Sequence, residues 1–205
     1  MGLISNGTTI FDAGSLDSGL AKGALTFIKK LTASSSGTLS FVNGASSVVL
    51  DNTYKEYLFI INQCHPSAKS NLAFQGSINT GSGYGVNITS AHFQAKQDES
   101  GGGSGALSYE AGRDLAQSTS FQRLTETQDT ANDHCCSGII RLFSPGSTTF
   151  LKHFITNFQS ISDNPSASNN YAAGYFNTTS AIDAIQFKFE SGNIDSGTIT
   201  LYGIA

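Results

Sequence analysis

The 205-residue chain predicts an all-β fold: a single antiparallel β-sandwich, jelly-roll-like, of about ten strands, with an extended N-terminal arm. Three observations carry that expectation. Short runs alternate apolar and polar residues with a period of two, which places successive side chains on opposite faces of a sheet. Clusters of Gly, Asn, Asp and Ser separate the runs at regular intervals, and these residues suit turns. The composition holds 29 Ser, 19 Thr and 22 Gly against only 3 Pro, with 14 Phe and 7 Tyr spread along the chain. Such a mixture fits many short strands with polar turns, and its aromatic content rules out a disordered chain.

Residues 1–23 form the arm and residues 24–205 the sandwich. The arm is small and polar, with scattered Leu3, Ile4, Ile10, Phe11 and Leu16. Its pattern is neither cleanly alternating nor helical. It is expected to lie on another surface or along the domain's own sheet. Strands are expected at Ala24–Leu31, Gly37–Val42 and Tyr54–Gln63, with Asn43-Gly44 and Asp51-Asn52 as turns. The run Tyr57 to Ile61 is apolar at every position, which predicts a central strand covered on both sides. Asn71–Ile78 and Val86–Gln97 follow, the second with a slip of face near Ser90-Ala91 that suggests a bulge. Asp98–Gly105 (DESGGGSG) reads as an exposed loop. Gly112–Gln117 could form one helical turn, and Phe121–Leu124 is a short strand. Glu126–His134 is polar and acidic, hence a surface loop. Ser137–Phe143, Phe150–Phe158 and Tyr171–Asn177 are strands, and Ser160–Asn170 is a loop. In the closing stretch Ile185, Phe187 and Phe189 alternate with Gln186, Lys188 and Glu190. Ile199, Leu201 and Gly203 then alternate with Thr198, Thr200 and Tyr202. With turn residues Gly192 to Gly197 between them, the two runs are expected to form a hairpin inside a sheet.

Charge narrows the function. Charged residues make up 13%, against about 25% in a typical domain. The net charge is −4, and the largest basic cluster is the pair Lys29-Lys30. Neither a nucleic-acid groove nor a polybasic membrane patch is expected, since both need concentrated positive charge. The opening MGLISNGTTIFDAG has no basic region followed by a long apolar one, so a secretion leader is not expected. The three Cys, at 64, 135 and 136, do not make a disulfide framework and read as reduced thiols.

The search for chemistry returns no catalytic, cofactor or metal site. Glu126, Asp129, Asp133 and His134 offer oxygen and nitrogen ligands, but in no calcium-loop pattern. His134-Cys135-Cys136 invites zinc, yet adjacent strand residues point to opposite faces and no CxxC supports it. There is no GxSxG, the four His are scattered, and the carboxylates form no readable pair. Trp, a common sugar-stacking residue, is absent. The glycine loops 81–85 and 101–105 lack the GK[ST] ending of a phosphate cradle.

Four stretches carry a resemblance. They are Gly2 to Phe11 (GLISNGTTIF), Leu25 to Leu31 (LTFIKKL), Gly174 to Asp183 (GYFNTTSAID) and Ser191 to Ile204 (SGNIDSGTITLYGI). With these the chain resembles small virion structural proteins of marine tailed bacteriophages, of the cyanophage and pelagiphage kind. The resemblance implies a virion protein assembled in the host bacterial cytoplasm, in a homo-oligomer, with a trimer favoured. One reading is a capsid decoration or cement protein bound to the major capsid protein, with the arm residues Leu3, Ile4, Ile10, Phe11 and Leu16 lying along the shell. The other is a tail, collar or fibre component. It would present the loops 79–85, 98–105 and 160–170, with Tyr84, Tyr109 and Tyr171, to a host surface glycan. A depolymerase is the third reading, disfavoured by the missing carboxylate pair. Decoration is preferred because the chain has no shaft, coiled coil or repeat.

Overall fold

A computed structural model describes residues 3–6, 8–12, 15–16, 24–102 and 105–204. Within the N-terminal segment, β1 (Leu3–Ser5), β2 (Thr8–Asp12) and β3 (Ser15–Leu16) pair with each other as an antiparallel sheet of their own. The arm is therefore not one extended ribbon. Leu3 and Leu16 both pair with Phe11, and Ile4 is exposed.

The remaining strands are β4 (Leu25–Thr32), β5 (Leu39–Val42), β6 (Glu56–Pro66), β7 (Leu72–Ser77), β8 (Ile88–Asp98) and β9 (Ala106–Tyr109). They continue with β10 (Gln122–Arg123), β11 (Cys136–Phe143), β12 (Lys152–Ile161), β13 (Ser166–Phe176), β14 (Ala184–Phe189) and β15 (Ile194–Ile204). Every pairing is antiparallel. These twelve strands build two packed sheets, one in the order β4-β15-β6-β11-β12-β13-β8-β9 and one in the order β10-β7-β14-β5. Strands β4 to β7 alternate between the sheets, and so do β10 and β11, then β14 and β15. The ribbons β4-β15-β6-β11 and β5-β14-β7-β10 thus face each other in jelly-roll order. Strands β8, β9, β12 and β13 extend the larger sheet to eight.

Between the sheets the inward positions of each alternating strand meet. Phe41, Phe59, Phe74, Phe154, Phe176 and Phe187 are all buried. Phe41 meets Phe59 edge-on at 5.4 Å, and Phe74 meets Phe154 at 5.1 Å. Such geometries add to the burial itself. One bulge joins β15 to β6 at Gly197, where φ is +116° and an added Cβ would stand 2.6 Å from the Gln63 carbonyl oxygen. Only glycine allows that approach.

The structure corrects several expectations. The closing runs are not a hairpin within one sheet: β14 lies between β7 and β5, and β15 between β4 and β6. Alternation reports two half-buried strands but not which sheet each joins. The Val86–Gln97 strand has no bulge, because β8 pairs with β13 in unbroken register from Ile88 to Asp98. The apparent slip is a change of chemistry on the inner face, which passes from Ile88 to buried His92 and Gln94. Ser160–Asn170 is mostly strand, and the turn shrinks to 162–165, closed by Ser162 Oγ and Ser166 Oγ, which both donate to the Asn164 carbonyl. Gly112–Gln117 forms no helix, only a turn around Arg113. Glu126–His134 is only partly a surface loop, since Gln128 and His134 are buried.

A buried polar corner underlies two of these corrections. Where β8 and β13 run beyond the smaller sheet, their inner face carries His92, Gln94, Ser168 and Asn170, and the segment 110–134 covers it. Glu126 pairs with Lys96 at 3.0 Å and Arg113 at 3.6 Å, and accepts a bond from Gln94 at 2.6 Å. Arg113 donates to Gln94 at 3.1 Å, and Asn170 Nδ2 donates to Ser168 Oγ at 3.0 Å. Burial lowers the pKa of His92, the hydrogen bond to Asn170 opposes it, Arg113 lowers it further, and Glu110 and Asp114 raise it least. Its Nδ1 has no partner among the described residues. Polar groups withdrawn from water in this way need a complete network to be tolerated.

Candidate functional site

The outward face of the eight-stranded sheet is the most unusual surface of the molecule. The run Tyr57 to Ile61 shows why. Tyr57, Phe59 and Ile61 point into the core and are fully buried, while Ile60 is 36% exposed on the other side. The strand is apolar on both faces, but the described residues cover only one.

Cross-strand register assembles similar residues into rows. One row passes from Phe27 through Tyr202, Leu58, Arg141 and Ile155 to Ala173. The next passes from Lys30 through Thr200, Ile60, Ile139, Asn157, Tyr171 and Phe93 to Tyr109. A third holds His153 and Tyr175, whose rings stand 6.0 Å apart. Phe27 and Ile155 are more than half exposed, and Phe93 and Ile139 are also open to solvent. Phe93 and Tyr171 stack at 4.9 Å with their planes within 10°. Two cations lie in these rows: Arg141, which Glu56 at the neighbouring edge already holds, and the exposed Lys30 at the β4 edge. Depressions flank the face at both ends. One, of about 820 Å³, lies beside Phe143, Phe150 and His153. The other, of about 470 Å³, lies beside Leu107, Ala167 and Gln159.

The three candidate loop tyrosines are divided by this arrangement. Tyr109 and Tyr171 come together through Phe93 on the outer face, on strands β9 and β13 rather than on loops. Tyr109 also donates to the Asp114 carboxylate. Tyr84 stays in a loop, at the end of the sandwich, beside a separate cavity. Sequence reasoning passed over Phe27, Phe93, Ile139, Ile155 and Tyr202. The usable signal was an apolar residue at the outward position of several strands, in phase with the inward ones.

Elsewhere the titratable groups are engaged structurally. His65, Cys135 and Asp195 border one cavity, but His65 Nε2 donates to the Ala131 carbonyl at 3.1 Å and Nδ1 faces Asp195 at 4.0 Å. Burial pushes the Cys64 thiol up to about 12 and raises Cys136 as well, so both are poor nucleophiles. Cys136 points into the core while Cys135 is part-exposed, as expected of neighbours on a strand. Among the described residues no three His, Cys, Asp or Glu side chains are grouped to hold a metal ion. Among the described residues no helix is long and apolar enough to cross a membrane. No family model, curated protein or solved structure matches the chain.

Proposed function

We propose that the chain is a non-enzymatic structural protein of a phage virion, a capsid decoration subunit that seats the outer face of its eight-stranded sheet on the major capsid lattice. One observation carries the reading: that face is a broad, low-charge field of Phe, Tyr and Ile side chains left uncovered by the described residues. Two apolar rows, each six strands long at ~4.8 Å and ~7 Å apart, give about 29 by 14 Å, on the order of 400 Å² in projection. Contiguous apolar patches of a few hundred Å² mark interaction sites, and this one would form the centre of a standard interface, which takes about 800 Å² from each partner. A partner that is itself flat and weakly charged fits a face whose central cation, Arg141, is already paired and whose other cation, Lys30, lies at the β4 edge. The virion setting is supported by the sequence resemblance. The mechanism is mass action: a subunit that binds only the assembled shell stabilises it. The proposed state is a homo-oligomer, a trimer, assembled in the host bacterial cytoplasm.

The test is co-sedimentation of the purified chain with assembled shells, together with its copy number in particles relative to the major capsid protein. Decoration predicts a ratio of about one-third or more, and an Ile60→Lys, Ile155→Lys chain that stays folded but no longer sediments. Unchanged sedimentation of that variant would sink the docking face. A ratio of a few per cent would move the protein to the tail or collar.

A further inference from the structure

The cavity beside Tyr84 lies away from the docking face and has a different chemistry. It holds about 520 Å³, within the range of small-molecule pockets. Its walls come from the β7–β8 loop, from Thr119, and from Asn177 and Thr178 just after β13. None of its ten lining residues is charged. Asn79, Asn87 and Asn177 supply three amides, Thr119 a hydroxyl, and Tyr84 and Ile78 an apolar surface.

That set selects a ligand class. Without a lining cation the pocket offers nothing to a phosphate or carboxylate, and without a lining carboxylate it offers nothing to an amine. Side-chain amides both donate and accept, which matches hydroxyl groups that do the same. A tyrosine face carries negative π density that suits the weakly positive C–H face of a sugar ring. A neutral carbohydrate meets all three conditions.

The pocket is also held in shape. Ser77 Oγ donates to Asn79 Oδ1 at 2.6 Å and accepts from the amides of Asn79 and Gly81, both at 3.2 Å. The Thr80 amide donates to the Asp183 carboxylate at 2.9 Å. Gly81 has φ +75°, and a Cβ there would stand 2.9 Å from Tyr84 Oη. The glycine therefore gives the tyrosine its seat. On the opposite wall the buried Gln75 amide bonds the carbonyls of Val86, Thr119 and Ser120. The Asn177 amide donates to Gln117 Oε1 at 2.6 Å, and the backbone joins Asn177 to Asn87. Walls fixed before binding lower the ordering cost for a ligand.

We propose that this pocket is a binding site for a neutral glycan, with Tyr84 as the stacking platform and Asn87 and Asn177 as hydroxyl partners. The site goes beyond the docking reading and uses other residues, so either can fail alone. The test is a printed array of neutral and acidic glycans probed with the labelled full chain, followed by titration of the strongest neutral binder. Neutral glycans are expected to be retained, and the Ile60→Lys, Ile155→Lys chain is expected to retain them equally. Tyr84→Ala is expected to weaken binding about tenfold, the scale of one lost aromatic contact, while Tyr84→Phe stays close to the parent. Asn87→Ala, an exposed change, is expected to weaken binding without moving the melting temperature. The proposal is overturned if no neutral glycan is retained, if only acidic glycans are, or if Tyr84→Ala and Asn87→Ala both bind like the parent.

Discussion

The two ends of the larger sheet's inner face solve the same problem differently. Under the smaller sheet, inward positions are phenylalanines and branched aliphatics, and packing alone satisfies them. Beyond its edge, β8 and β13 turn inward His92, Gln94, Ser168 and Asn170, and only a network closed by Arg113, Glu126 and Lys96 makes their burial tolerable. The apolar end is stabilised by area and tolerates small errors of shape. The polar end depends on every partner being present, because one missing group strands the others away from water. Removing a single residue should therefore do different damage at the two ends.

The largest effect is expected at the aromatic hub. Phe74 touches Phe154, Phe176 and Phe187, so Phe74→Ala should cost about 3–5 kcal/mol in a urea titration. A cost below about 1 kcal/mol would mean that the core is not built around that ring. At the polar end, Glu126→Ala leaves Arg113 and Lys96 facing each other without their anion. About 2 kcal/mol is expected, less than for a fully buried pair because Lys96 is 30% exposed. A double change with Arg113→Met should recover part of that loss, and the apolar end has no equivalent rescue.

Acid should also separate the two ends. Burial holds His92 below its ordinary 6.5, so the unfolded chain takes up a proton that the folded chain refuses. The stability carried by the neutral ring is full above about pH 6.5 and falls as the pH drops toward the folded value. Melting temperatures measured from about pH 8 to about pH 5 should decline, and His92→Gln should flatten that decline. Equal slopes in the two proteins would remove His92 from the acid response. The smallest change in stability, within about 0.5 kcal/mol, is expected for Ile155→Lys on the outer face, where a lysine meets water. Its consequence should be for docking alone.

Much of this was legible in the chain. Ile185, Phe187, Phe189, Ile199 and Leu201 announce half-buried strands, and each is buried in the place its phase requires. Asn43-Gly44 is a turn, with Gly44 at φ +79°. The polar end was not legible, because a buried Ser166, Ser168 or Asn170 looks in sequence like a loop residue. Its partners Glu126 and Arg113 are distant in the chain. Tyr109 and Tyr171 were visible as aromatics near polar stretches, but only β8, with Phe93 between them, turns them into one surface.

The sequence by itself determined the fold class, the strand phases and the low overall charge. These follow from local periodicity and composition. The tertiary structure alone decided three things. It sent β14 and β15 to opposite sheets. It placed the polar inner face under the 110–134 segment. It left the second apolar face of β6 uncovered by the described residues. Each depends on which distant strand becomes a neighbour, and local alternation is blind to that choice because both faces of a strand read alike until one of them is covered.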